Sequence, residues 1–296
     1  MIKYTHTEKQ TDVCSRMRIF FEKEDLMKKF IRIIASVITA ALLGVSIAAE
    51  EPIDIRLNGE ETGIDALLLG TTTYVPFEAA NELLSFGTAE VTGSPEAMTA
   101  VAADVSVSAR AGDCYVEASG RYIGGSDSVM IRGMLYVPIR SIAKAYGTEV
   151  AWQDATRSVD LYSTDEVITP GEAFYDADEV FWLARIIQAE SGGEPMKGKI
   201  LVGNVVMNRV LSKEFPNTIY GVIFDRKYGV QFTPIINGSI YNTPSEESII
   251  AAKLCLDSYY ISRAALYFLN PVIAQNFWVP ANRPYLTTVG CHDFYA

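Results

Sequence analysis

Histidine is almost missing from this 296-residue chain, which has only His6 and His292. A zinc site built on several imidazoles is therefore excluded, and a nucleophile activated by an imidazole would have to use one of these two. Cysteine is scarce as well: Cys14, Cys114, Cys255 and Cys291 contain no CxxC pair. That argues against cysteine-rich metal ligation and against a disulfide framework. Basic residues are in deficit, 25 Lys+Arg against 36 Asp+Glu, for a formal charge of −11. No basic patch stands out, so nucleic acid is not an expected partner. Carboxylates are plentiful, and they are the obvious acid–base groups left. A hydrophobic content of 49% argues against wholesale disorder.

Near the N-terminus an apolar run extends from Ile33 to Ile47, shorter than the ~20 residues of a comfortable membrane span. The cationic stretch Met27-Lys-Lys-Phe-Ile-Arg32 precedes it, and Ala48-Ala49 and Glu50-Glu51 follow. This is the three-part pattern of a secretory signal peptide cut near Ala48 or Ala49; an uncleaved anchor is the alternative. Residues 1–26 are polar, have no export character and read as an upstream extension, with Met27 as the start. The expected organisation is 1–26 extension, 27–49 signal peptide and 50–296 exported chain. Without residues 1–49 the chain is more acidic still and keeps one histidine, His292. It also keeps three cysteines, for which buried free thiols are the default and a Cys255–Cys291 bridge is left open.

Residues 50–162 read as short strands, turns and two helices. Val105-Ser-Val-Ser-Ala109 alternates, Gly112-Asp113 interrupts, Cys114 to Ala118 resumes, and Ser119-Gly120 turns into Arg121-Tyr-Ile123. An internal echo is present. Thr73-Tyr-Val-Pro-Phe77 leads into the helical stretch Glu78–Leu84, and Leu135-Tyr-Val-Pro-Ile139 into Arg140–Tyr146. In both, the residue before proline is pushed to extended backbone, and proline suits the opening of a helix. Thr148–Trp152, a turn at Asp154 and Ser158–Tyr162 complete a hairpin. On Tyr136-Val-Pro-Ile-Arg-Ser-Ile-Ala143, Gly147 and Val150-Ala-Trp152, this half resembles the copper amine oxidase N-terminal domain. The resemblance implies a small α/β module acting as a spacer or a wall-binding unit, and nothing in its residues offers a copper site.

Residues 163–177, with Pro170-Gly171 and several acidic side chains, suit an exposed linker. A second domain is expected over 178–296, opening with Asp178 as cap of a helix that runs from Glu179 to Glu190 and ends at Gly192-Gly193. Val180, Leu183, Ile187 and Glu190 follow the i, i+3, i+7 spacing, so Glu190 continues an apolar stripe. Burial of a carboxyl there favours its neutral form, as protonation of a glycosidic oxygen near neutral pH requires. A frayed helix end that leaves Glu190 as an ordinary surface residue is the competing reading, and periodicity does not decide between them.

Leu183-Ala-Arg-Ile-Ile-Gln-Ala-Glu-Ser-Gly-Gly-Glu-Pro195 and Gly198-Lys-Ile-Leu-Val-Gly-Asn-Val-Val-Met-Asn-Arg-Val210 resemble the SleB/CwlJ cell-wall hydrolase family. Phe215–Ile223, Gln231-Phe232, Ala265–Pro271 and Gly290-Cys-His-Asp-Phe-Tyr295 extend the resemblance in order over residues 181–295. It implies an α+β chain whose second domain is mainly helical and similar to lysozyme-like lytic transglycosylases. Glu190 would then be the single catalytic glutamate, acting without cofactor or metal on peptidoglycan glycan strands, in spore cortex or vegetative wall. With so acidic a chain, wall binding would rest on sugar stacking and hydrogen bonds. An N-acetylmuramoyl-L-alanine amidase and a non-catalytic wall-binding protein are the alternatives, and a regulatory partner protein is left open.

The same resemblance nominates Glu194, Gln231, Phe232, Asn208 and His292 as substrate contacts. Each has a blander role beside it. Glu194 could order the loop after Glu190, Gln231-Phe232 could fill a hairpin, and Asn204 and Asn208 could form a solvated stripe. Trp278, Tyr267 and Tyr285 could stack on sugars or fill core, and His292 suits a structural hydrogen bond. Asparagine, rather than Cys291, would be expected beside that histidine. Thr243-Pro244-Ser245-Glu246 reads as a capping box.

Overall fold

The repeated strand–proline–helix segments pair with each other at the centre of the first half. The computed structural model describes residues 53–102, 105–164, 166–227 and 229–296; the extension and signal peptide expected over 1–49 lie outside them. Strands Thr72–Pro76 and Met134–Pro138 run antiparallel, with Val75 opposite Val137, inside a four-stranded sheet. Each proline is the N-cap of the helix that follows, Phe77–Leu84 or Ile139–Ala145. The alternating segment forms a five-stranded antiparallel meander from Glu90 to Gly124. In it Val107, Ala109, Val116 and Ala118 turn inward, while Ser108 pairs with Thr99 across the outer face at 2.9 Å. The hairpin Glu149–Gln153 with Ser158–Tyr162 also forms, and Ile55–Leu57 adds to it in parallel. One apolar cluster joins these sheets and both helices.

From Ala177 onward helices dominate, and the whole is α+β. Three long helices, Ala177–Ser191, Met196–Leu211 and Glu246–Leu256, pack around a second apolar cluster. The middle one is buried nearly all round. A Cβ at Gly203 would stand 2.6 Å from Cys255 Sγ and 3.0 Å from Ile187 Cδ1, so glycine is what allows the three helices to approach this closely. A three-stranded antiparallel sheet, with His292–Tyr295 between Tyr267–Leu269 and Tyr285–Val289, closes the domain.

Three expectations are corrected. The first long helix begins at Ala177, capped by Asp176, whose carboxylate accepts from the Asp178 and Glu179 amides at 2.9 Å; Asp178 lies inside the first turn. The third long helix is capped by Ser245 rather than by a Thr243–Glu246 box, because Gln188 Oε1 accepts from the Ser245 amide and fixes the chain's entry there. The segment 163–177 is exposed along much of its length, yet it is not a free tether. Ile168 is buried, the Gly171 amide bonds the Ser119 carbonyl, and Tyr175 Oη accepts from the Tyr122 amide at 2.9 Å.

The two halves meet across a polar seam. Asp257, with its side chain 2% exposed, accepts from Arg121 Nη2 at 2.6 Å and from Lys144 Nζ at 2.9 Å. Tyr259 Oη donates to the Gly125 carbonyl at 2.8 Å. Cys114, Tyr115 and Tyr122 of the first half pack into the helical cluster. Among the described residues no helix is long and apolar enough to cross a membrane.

Candidate active site

Leu183, Ala184, Ile186 and Ile187 are fully buried and fix the rotation of the first long helix. That rotation brings Glu190, two residues before the Gly192 C-cap, to the edge of the core, where it is partly buried rather than frayed into solvent. Burial raises its pKa to about 7, against an opposing pull from the Arg209 guanidinium. Among the described residues its carboxyl has no hydrogen-bond or ion-pair partner. A carboxyl that keeps its proton near neutral pH and is not tied to a protein partner can give that proton to a bound oxygen.

The loop that follows is braced from beneath. Lys199, 2% exposed, donates from Nζ to the Glu194 carbonyl and to Glu247 Oε2, both at 2.7 Å. Glu194 folds away from solvent, its side chain 9% exposed. Its Oε2 accepts from the Cys291 amide at 2.9 Å, and Oε1 lies 3.5 Å from His292 Nδ1. Gly290, at φ +61°, takes a conformation that side chains rarely adopt, and a Cβ there would collide with Glu194. His292 is buried against Phe268, and its pKa is lowered chiefly by that burial, with Glu194 and Asp293 opposing. Glu194 and His292 thus form one unit that clips the C-terminal tail to the loop after Glu190.

The other nominated residues separate. Asn208 does not join a solvated stripe: its Nδ2 donates to the Ser262 and Ala265 carbonyls at 3.0 and 2.8 Å. Asn204, fully buried, donates to the Tyr259 carbonyl and accepts from the Ile261 amide. Both hold segment 259–265, because their helix is enclosed by neighbours where an amphipathic one would face water. Phe232 is core, 2% exposed. Gln231 bonds the Gly229 carbonyl at 3.1 Å. Trp278 and Tyr285 are exposed rather than core, while Tyr267 is half-buried, its ring centroid 6.5 Å from that of Trp278. Cys255 is a free, fully buried thiol, so the Cys255–Cys291 bridge is not formed.

Sequence reasoning passed over Arg209. It is 5% exposed, donates from Nε to the Leu266 carbonyl at 2.8 Å, and lies 5.0 to 5.4 Å from the rings of Phe215, Phe232 and Tyr267. Burial lowers its pKa to about 10, which leaves it charged at neutral pH. The signal was present: Val202, Val205, Val206 and Arg209 repeat the i, i+3, i+4, i+7 stripe that singled out Glu190. No three His, Cys, Asp or Glu side chains among the described residues are grouped so as to hold a metal ion.

Comparison with known proteins gives two family matches. Residues 193–295 match the Cell Wall Hydrolase family and residues 56–161 the copper amine oxidase N-terminal domain. The spore cortex-lytic enzyme of Bacillus cereus is 36% identical over 120 residues, 40% of this chain and 45% of that protein. The spore cortex-lytic enzyme of Bacillus subtilis (strain 168) is 32% identical over 120 residues, 40% of this chain and 38% of that protein. The chain thus spans less than half the length of these curated relatives. The solved catalytic domain of the germination-specific lytic transglycosylase SleB from Bacillus anthracis is 35% identical, covering 41% of this chain and 97% of that one, with a TM-score of 0.38.

Proposed function

Because its C-terminal part belongs to the cell wall hydrolase family and a copper amine oxidase N-terminal domain precedes it, we propose that this chain degrades exported peptidoglycan as a lytic transglycosylase. The observation that carries the proposal is Glu190, a partly buried carboxyl with a pKa near 7 and no protein hydrogen bond. Glu190 protonates the oxygen between N-acetylmuramic acid and N-acetylglucosamine, and the C1–O bond breaks with its electron pair leaving on that oxygen. The resulting carboxylate takes the proton of the muramyl 6-hydroxyl as that oxygen closes on C1. The product is a 1,6-anhydro end, and Glu190 is again protonated. One carboxyl serves both halves, unlike the usual glycosidase pair. The clip formed by Glu194, His292 and Gly290 holds the loop that follows Glu190, which supports a shaping role for Glu194 and His292 beside any sugar contact.

The test is digestion of purified peptidoglycan, with and without muramic lactam, followed by mass spectrometry. Anhydromuropeptides are expected, and the lactam dependence separates cortex from vegetative wall. Free stem peptides would indicate an amidase, and absence of any product a wall-binding protein. Glu190→Gln should abolish anhydro ends while leaving the far-ultraviolet circular dichroism unchanged; full activity in that variant overturns the mechanism.

A further inference from the structure

A cavity of about 580 Å³ lies on the seam between the two halves, within the size range of small-molecule sites. Most of its lining comes from the first half, including Trp152, whose indole is fixed by an Nε1 bond to Asp154 Oδ1 at 2.7 Å. Asp257, Ser258 and Tyr259 of the helical half complete the wall, so the cavity exists only while the halves are together. Glycine makes that approach possible: a Cβ at Gly124 would collide with the Tyr259 ring, and Tyr259 Oη donates to the neighbouring Gly125 carbonyl.

The charge of this cavity runs against that of the chain. The sequence as a whole carries −11, yet the charged side chains lining the cavity are Arg140, Lys144 and Asp257. Asp257 is already engaged by Arg121, through Nε at 3.0 Å and Nη2 at 2.6 Å, before Lys144 adds its own bond. The local balance is therefore positive. Arg140 and Lys144 stand one turn apart on helix Ile139–Ala145, and both are exposed. Among the described residues Arg140 bonds only through Nη1, to the Val150 carbonyl at 3.2 Å, which leaves the rest of its fork for a ligand. Ser258 adds an exposed hydroxyl from just past helix Glu246–Leu256, at φ +64°, where glycine is the usual residue.

We propose that this cavity binds a carboxylate-bearing saccharide, with its carboxylate on Arg140 and Lys144 and a sugar ring against Trp152. The proposal rests on the chain's acting on peptidoglycan, where such a ligand is a muropeptide, an amino sugar joined to a stem peptide with free carboxylates. Cation and aromatic surface recognise its two parts. Because the ligand touches both halves, it binds the closed seam and holds it shut.

The test is calorimetric titration of the full chain with N-acetylglucosaminyl-N-acetylmuramyl-tetrapeptide, which lacks the muramic acid–glucosamine bond proposed for cleavage. Binding is expected. Arg140→Gln should weaken it about tenfold or more, and amidating the ligand's carboxylates should do the same. Lys144 also holds the seam, so Arg140 is the residue to change. Saturating ligand should slow alkylation of Cys114, whose carbonyl accepts from the Gly125 amide at 2.9 Å, and leave Cys255 unaffected. No binding, equal affinity in folded Arg140→Gln, equal affinity of the amidated ligand, or an unslowed Cys114 each overturns the proposal. Anhydro products from whole peptidoglycan with no binding here would sink this site alone. Binding here without such products would sink the transglycosylase reading instead.

Discussion

Ionising Glu190 costs the folded chain stability. Its folded pKa of about 7 lies above the ordinary 4.5, so the fold holds the proton more tightly than the unfolded chain does. Stability from this residue is complete below about pH 4.5, declines as pH rises, and is lost above about 7. The loss is at most roughly 3 kcal/mol, an upper bound since the carboxyl keeps partial access to water. Glu190→Gln should therefore match the parent protein at pH 4 and exceed it at pH 8, as urea unfolding at the two values would show. His292 runs the other way: burial lowers its pKa below 6.5, so the stability it contributes is lost as pH falls through that range. At this scale the sequence was half legible. Periodicity placed Glu190 on an apolar stripe without deciding whether it was buried, and the same count applied to Arg209 would have placed it on such a stripe too. What no count could supply is the cage around its guanidinium, because Phe215, Phe232 and Tyr267 arrive from three separate segments.

Among the elements, the long helices were legible in kind and misread in surroundings. Helix Met196–Leu211 carries polar residues at a helical spacing, which suggests a wet face. The third long helix and segment 259–265 cover that face, and the asparagines become backbone braces. Asn208→Ala would leave the Ser262 and Ala265 carbonyls without their amide donor, at a cost of about 1–3 kcal/mol. Hydrogen exchange in 259–265 should quicken accordingly. Gly203→Ala would press Cβ against Cys255 and Ile187, with a loss of about 1–3 kcal/mol in denaturant unfolding unless the helices move apart. The proline-led helices of the first half were legible because proline acts locally. The cap at Ser245 was not, because it depends on Gln188 from another helix.

Over the whole molecule, the linker expected at 163–177 concealed how closely the halves associate. Composition reports exposure well, and most of the segment is exposed; it says nothing about what lies beneath. Asp257 is the centre of the seam, with cations from two elements of the first half converging on it. Asp257→Asn should leave Arg121 underpaired and lower stability, toward the low end of the roughly 3–5 kcal/mol typical of a broken buried pair, since Lys144 is half exposed. Chemical unfolding followed by tryptophan fluorescence would measure it, and an unchanged midpoint would show that the seam is held by its apolar contacts instead.

Those apolar contacts include Cys114, a residue of the first half that is 3% exposed within the core cluster of the second. Its thiol is pushed up to about 11, chiefly by burial, so it resists alkylation for as long as the seam stays shut. Cys255, deep among the helices, is released only when the helical domain itself opens. Two alkylation rates followed by mass mapping on one native sample would therefore act as two clocks. The Cys114 clock reports how often the halves part, and the Cys255 clock how often the helical domain comes undone.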